Sequence, residues 1–532
     1  MEHISCDVLV LGSGSAGLRA AISARQSGLD VCILSKGNPG KATCTGFSAG
    51  VMAGSSGPRS AADHLERTVL AGRGINQREL VEVLIEEAPI RLDELIRWGI
   101  RGELVDGFLF SKGRPPVMGE EIIDCLIRKN RELGTRFIGN FLVTDMVVEE
   151  GAAGLIGYRQ ASNEWLAFTA DSVVLATGGA AALYLRHDNP QGMLGEGCRL
   201  ALDVGAILQD MEFVQFYPVC LAEPGHAPLV IPPRLADCGR LISATGKDIL
   251  QEYGIEERPA AESARDKLSQ ALFQEIFRHG QPVLLDIRGL SEEKWNIDPF
   301  ASSMRRILEQ KYEARHRPLR VAPAAHHTMG GVVIDVGGAT SVPGLFAAGE
   351  VTGGLHGANR LGGNALSETL VFGARAGESA AEWARRGTDE DPQSILKLLN
   401  SRLLLRKRPR PAGAELLKKL RKTMWDYGGI MRDREKLTFA LDNIKEMLEI
   451  YESSSDRKSI DPGHGFEFLP AARVAQLILE GALRRLETRG AHFREDYPTQ
   501  NDEQWLGHLQ VRAAPDGNNS WEFKPRAGTG YK

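Results

Sequence analysis

The sequence predicts an α/β protein whose Rossmann-like dinucleotide-binding domain comes in two pieces, separated by an α+β segment and followed by a helical domain. Three observations predict this. The chain opens with CDVLVLGSGSAGLRAAISARQSGLDVCILSKG: an apolar run, a glycine turn, a helical pattern and a second apolar run, which together make one βαβ unit. The stretch from Pro323 to Phe372 crowds glycines, two histidines and an arginine together, as a cofactor site meeting a substrate site would. From about Arg386 the composition turns basic and leucine-rich, with apolar residues at three- and four-residue spacing, so helices are expected there.

In the βαβ unit, Gly12, Gly14 and Gly17 form GxGxxG. The turn can be tight, the backbone can approach a pyrophosphate, and the helix opening at Ser15 offers unpaired N–H groups to it. Ser35 and Lys36 stand at the end of the second strand, where nicotinamide enzymes carry an acidic residue. Glycines at 330, 331, 353, 354, 357, 362 and 363 let backbone lie against a flat ligand where a Cβ would clash.

The length of 532 residues calls for several domains. The 59 glycines accompany 42% hydrophobic residues, which favours nucleotide loops over disorder. A net charge of −5 excludes general nucleic-acid affinity. The seven cysteines include no CxxC, so neither a disulfide framework nor a metal site is expected. The N-terminus runs into a strand without a leader, and no run of about 18 apolar residues follows. A cytoplasmic protein with no direct membrane span is the expectation.

The segment PAAHHTMGGVVIDVGGATSVPGLFAAGEVTGGLHGANRLGGNALSETLVF resembles the close of the flavin domain in the fumarate reductase and succinate dehydrogenase flavoprotein family, which includes L-aspartate oxidase. The resemblance spans about Asp7 to His508. It implies a Rossmann-like FAD-binding domain (residues 1–211 and 323–385), an α+β capping domain (212–322) and a C-terminal helical domain (386–510). The polar remainder, 511–532, is expected as an extended tail, and the run Arg406–Arg410 as a solvated linker.

The same resemblance implies that FAD is contacted by Gly12, Gly14, Ser15, Gly17, Ser35 and Lys36, and by Thr45, Ser48 and Gly50 in KATCTGFSAGVMAG. Further contacts are implied at Ala176, Thr177, Gly178, Glu196, Glu350, Asn364 and Leu366, with Glu350 the acidic candidate for ribose or ribityl hydroxyls. Covalently flavinylated relatives carry a histidine in the Thr45 segment. None lies between Lys36 and Asp63, so noncovalent FAD is expected.

Moving hydride to or from a small carboxylate substrate needs cations to fix the carboxylate and a proton source. Arg360 in GANRLGGNA and His326 in PAAHHTMGG occupy the family's substrate-binding positions. The family pattern Gln-Phe-His-Pro-Thr is here Gln215 to Val219, with Tyr217 in place of the histidine. The family's Arg-Gly-Glu-Gly-Gly segment is represented by PPRLADCGRLISATGK; counting back from Gly239 puts Leu235 at its proton-donor arginine, with Arg234 one residue away. Arg234 and Tyr217 are therefore both candidate donors. The loop FSKGRPPVMGEE offers Lys112, Arg114, Glu120 and Glu121, so substrate choice is expected to differ.

Three functions fit. The first is a flavoprotein subunit exchanging hydride between flavin N5 and a carboxylate-bearing substrate, with electrons passing through an iron–sulfur partner. The second is a soluble oxidase resembling L-aspartate oxidase. The third is a flavin electron-transfer subunit whose substrate site has decayed.

Overall fold

The computed structural model describes residues 2–54, 60–149, 151–159, 162, 164–387, 392–405, 413–454, 462–514 and 518–526; the expected linker Arg406–Arg410 lies outside them. The main sheet runs in the order Arg136–Ile138, Val31–Leu34, Glu2–Leu11, Glu164–Leu175, Ala152–Arg159, Phe141–Glu149, with Leu345–Ala347 also paired to Glu164–Leu175. Val8, Leu9, Val10 and Val31 to Ile33 are fully buried, as parallel strands covered on both faces are. The parallel strands Glu2–Leu11, Val31–Leu34, Glu164–Leu175 and Leu345–Ala347 finish together, at Leu11, Leu34, Leu175 and Ala347. Open α/β sheets bind ligands at this edge.

Helix Ser15–Gln26 packs on helix Asn364–Arg386, so the N-terminal unit and the distant Pro323–Phe372 region form one body. The approach is close: a Cβ on Gly377 would stand 2.2 Å from the Ala20 carbonyl oxygen.

A second hydrophobic core, from Tyr217 to Ala324 with Phe108 and Phe110, surrounds an antiparallel sheet in the order Val214–Leu221, Leu319–Thr328, Val283–Asp286, Arg240–Ile242. The expected boundary at 322/323 falls inside the strand Leu319–Thr328. Its ladder with Val214–Leu221 pairs Gln215 with His327 and Phe216 with Ala325, so His326 is the extra residue of a β-bulge. Bulges re-aim side chains beside active sites.

Helices Gly413–Tyr427, Arg434–Ser453 and Pro462–Arg484 share the main core through Leu420, Ile444, Val474 and Ile478. Buried Arg485 ties them to the root of the second sheet, donating to Glu212 at 2.6 Å and Asp210 at 3.4 Å. Such a cluster stays buried only because each charge has partners. Arg489, His492 and Arg494 belong to the same buried polar region.

The expected extended tail is instead a hairpin through residue 525. Gly507–Ala513 pairs with Asn519–Pro525 and, at Gln510 and Val511, with Leu208–Gln209. Leu509 and Val511 alternate inward, a period-two signal too short to stand out in a polar segment. No helix among the described residues is long and apolar enough to cross a membrane.

Candidate active site

Two cavities meet at the carboxyl edge of the main sheet. One, of about 510 Å³, is lined by Gly12, Gly14, Ser15, Ser35, Lys36, Thr45, Ala176, Thr177, Gly178, Glu196 and Glu350. The other, of about 560 Å³, lies under the second sheet and is lined by Thr45, Ser48, Gly50, Tyr217, Arg234, His326, Glu350, Arg360 and Leu366, among others. Cys44, Thr45, Glu350 and Thr369 border both.

The first cavity fits a dinucleotide. Gly12 has φ of 111°, and a Cβ there would stand 2.1 Å from the Ala176 carbonyl oxygen, so only glycine brings these two strand ends together. Helix Ser15–Gln26 starts at Gly14, which has no side chain to cap it; the Ser15 N–H donates to Thr45 Oγ1 at 3.2 Å, and the rest of the first turn is left for phosphate. Thr177 Oγ1 is buried with no hydrogen-bond partner. Gly17 lines neither cavity; a Cβ there would strike the Gly12 carbonyl at 2.0 Å, so its role is packing.

Lys36 Nζ pairs with Glu196 and, at 2.5 Å, with Glu467, and donates to the Gly192 carbonyl at 3.1 Å. Burial alone would push this ammonium down, but the two carboxylates hold it above its usual value. Glu467 comes from helix Pro462–Arg484, so the C-terminal helices complete the cofactor cavity. Nothing local in the chain hints at this, because the pairing depends on how distant helices dock. Asn364 lines neither cavity: it holds His64 Nε2 at 2.8 Å and donates to Thr68 Oγ1 at 2.9 Å.

In the second cavity, Arg360 Nη2 donates to His326 Nε2 at 2.7 Å, and His326 Nδ1 donates to Asp188 Oδ2 at 2.7 Å. That geometry requires neutral His326 with its proton on Nδ1. Burial pushes the imidazole pKa down, Asp188 opposes this, and Arg360 adds to it. Burial would raise Asp188, but His326 and Asn189 hold its carboxyl below the usual range. Burial, then neighbouring Arg265, lower Arg360 to about 9, so it stays cationic at neutral pH. Arg360 Nε is buried without a partner.

Glu350 accepts from the Thr328 N–H at 3.0 Å, and burial raises its carboxyl to about 7. His327, 3.6 Å from Glu350, is pushed well below its usual value, first by burial and then by Arg360.

The Tyr217 hydroxyl donates to the Ile231 carbonyl at 2.7 Å, and burial raises its pKa far above the ordinary phenol value. Its ring lies 5.0 Å from the Arg265 guanidinium. Arg234 does reach the cavity, since Pro233 begins the helix Pro233–Cys238; it stands 3.7 Å from Asp106 and 4.0 Å from Asp298. Leu235 is buried in the second core. Of the loop after Ser111, Pro116 and Val117 face the cavity, whereas Lys112 and Arg114 are exposed and line neither cavity.

Arg265 escaped the sequence reading. It lines the cavity, buried, donating to Gln215 Oε1 at 3.0 Å and the Ala261 carbonyl at 3.1 Å. A signal existed: Arg265, Leu268 and Leu272 share the buried face of helix Arg265–Phe273, where an arginine is out of place unless it serves a site. Burial lowers its pKa.

Residues 7–366 match the FAD binding domain family and residues 417–527 the fumarate reductase flavoprotein C-terminal family. The chain is 34% identical to one of the subunits of the CoM/CoB fumarate reductase of Methanothermobacter marburgensis, over 94% of this chain and 96% of that protein. It is 32% identical to an L-aspartate oxidase of Streptomyces coelicolor, over 96% of this chain and 92% of the relative. A solved structure of E. coli quinol fumarate reductase superposes with a TM-score of 0.89 at 28% identity, covering 99% of this chain and 97% of that one.

Proposed function

Because the chain belongs to the FAD-dependent fumarate reductase and succinate dehydrogenase flavoprotein family, we propose that it transfers hydride between noncovalently held FAD and a carboxylate-bearing substrate gripped by Arg360 and His326. The observation that carries this reading is the Asp188–His326–Arg360 chain, held in a cavity that shares Thr45 and Glu350 with the dinucleotide cavity. FAD, when bound, supplies the two-electron hydride chemistry. The protein supplies position and charge.

Gly14, Ser15 and the helix N-terminus would hold the pyrophosphate, and Thr45, Ser48, Gly50 and Leu366 the ring side, with Ala176, Thr177, Gly178 and Glu196 completing the cradle. Attachment is noncovalent: Thr43, near the place of the family's linking histidine, instead caps helix Cys44–Phe47 by accepting from the Gly46 N–H at 3.1 Å.

Arg360 presents a guanidinium whose fork matches a carboxylate, and Asp188, through His326, fixes its direction. The proton donor is Arg265 rather than Tyr217, whose hydroxyl is committed to a backbone carbonyl. Arginine is ordinarily too basic to serve as an acid, and burial moves Arg265 the right way. Arg234 acts at the rim. The second sheet and the core around it form the cap that excludes water, which strengthens these interactions. Electrons enter or leave through an iron–sulfur partner, a reading supported by a relative named as one subunit of a fumarate reductase.

Anaerobic visible spectroscopy tests this reading. Acid precipitation should release flavin, and reduced holoprotein should be reoxidised by an unsaturated carboxylate. Bleaching of the oxidised protein by L-aspartate would instead support the oxidase reading.

A further inference from the structure

The second cavity is lined by both charged and apolar side chains. Arg360, His326 and Arg265 line it together with Phe108, Phe110, Val117, Leu229, Phe300 and Ile307. Phe108 and Phe110 lie on the strand Phe108–Ser111, with ring centroids 6.1 Å apart. Phe300 and Ile307 are two turns apart on one face of helix Pro299–Tyr312. Val117 comes from the loop whose charged residues Lys112 and Arg114 stay outside.

A second substrate carboxylate would find little welcome against these apolar side chains. Arg234 is already flanked by Asp106 and Asp298 at 3.7 and 4.0 Å. Lys311 is exposed, its Nζ 5.4 Å from the Tyr312 ring centroid. Tyr217 stands where a family histidine would be, with its hydroxyl occupied by Ile231. Burying a carboxylate against phenyl and aliphatic side chains without a partner is strongly unfavourable.

We infer that the substrate is a 2-enoate monocarboxylate bearing an aryl or branched aliphatic substituent, or its saturated counterpart, with the carboxylate on Arg360 and the substituent against Phe108, Phe110, Phe300 and Ile307. The inference rests on the hydride-transfer reading above. In the reducing direction the C=C π bond breaks and two C–H bonds form. Hydride, with both electrons, comes from the reduced cofactor to the β-carbon, and a proton reaches the α-carbon. The cofactor is thereby oxidised, and an external electron donor reduces it again.

The test uses FAD-loaded protein reduced with dithionite under anaerobic conditions and mixed with trans-cinnamate or fumarate. Cinnamate should reoxidise the flavin at least ~10-fold faster than fumarate, the scale on which apolar pockets discriminate. Ile307→Glu should lower the cinnamate-to-fumarate ratio by ~10-fold or more, with Ile307→Ala moving it the same way should the first variant fold poorly. Calorimetry of hydrocinnamate binding to oxidised protein should weaken in parallel. Fumarate reacting as fast as cinnamate, or a ratio unmoved by both variants, would overturn the substrate class and leave hydride transfer standing. If neither acid nor any other unsaturated carboxylate reoxidises the flavin, the hydride-transfer reading falls with it.

Discussion

Arg360 donates through Nη2 to His326 Nε2 at 2.7 Å, and this single contact sets the protonation of the imidazole. A nitrogen that accepts from a guanidinium cannot carry a proton, so His326 must place its proton on Nδ1, toward Asp188. Asp188→Asn can present its amide N–H to Nδ1 and favour the wrong tautomer. Turnover should fall by roughly 10–100-fold, the scale expected when the group orienting a functional histidine is lost. Flavin content, read from visible absorbance per protein, should not change, since Asp188 lies outside the dinucleotide cavity.

Tyr217 and Arg265 separate by substitution. Tyr217→Phe removes the donor to the Ile231 carbonyl and should cost about 1–2 kcal/mol of stability in denaturant titration while leaving turnover within several-fold. Arg265→Lys keeps the charge but loses the fork that reaches Gln215 and Ala261, and should abolish most turnover with flavin retained. Loss of activity in the tyrosine variant alone would return the donor role to Tyr217.

How much of this was legible in the sequence divides along local and non-local lines. The GxGxxG turn and the flanking strand and helix are local patterns, and the structure places them as read. His326 and Arg360 were legible as residues within their motifs, but the bulge that turns His326 out of its ladder arises from pairing with a strand a hundred residues earlier. Asp188 and Glu467 carry no local signal, because their roles depend on partners far along the chain. Arg265 was readable, as a charge sharing a buried helix face with Leu268 and Leu272. The hairpin at 507–525 was not, because a polar strand with one thin buried face looks like coil.

The buried histidines predict an acid-side loss of stability. His326, His327 and His492 are all held below their ordinary value of 6.5, chiefly by burial. Each is neutral when folded and takes a proton on unfolding, so its contribution is complete above pH 6.5 and is lost as pH falls toward the folded pKa. Glu350, held up near 7, acts in the opposite sense, and His508, held above 6.5, loses its contribution only as pH rises through its folded value. Each histidine contributes up to about 1.4 kcal/mol per pH unit. Thermal denaturation should show the melting temperature falling between pH 6.5 and 5; a flat profile would contradict the assigned neutral states.

Lys36 neutralises Glu196 and Glu467 at the mouth of the dinucleotide cavity. Lys36→Met leaves two partly buried carboxylates facing one another, and should lower stability by about 3 kcal/mol and weaken FAD retention on gel filtration. Adding Glu467→Gln to that variant should recover part of the loss, because one of the unpaired charges is then gone.

Whether Arg360 holds the substrate carboxylate beside the flavin is decided by anaerobic stopped-flow reoxidation of dithionite-reduced holoprotein by an unsaturated carboxylate, comparing the native chain with Arg360→Ala. The second-order rate constant should be lower by about 10²–10³-fold in the variant, as expected for removing a buried, charge-assisted contact, with the flavin spectrum and its release by acid unchanged. An equal rate in both proteins would show that Arg360 does not grip the substrate.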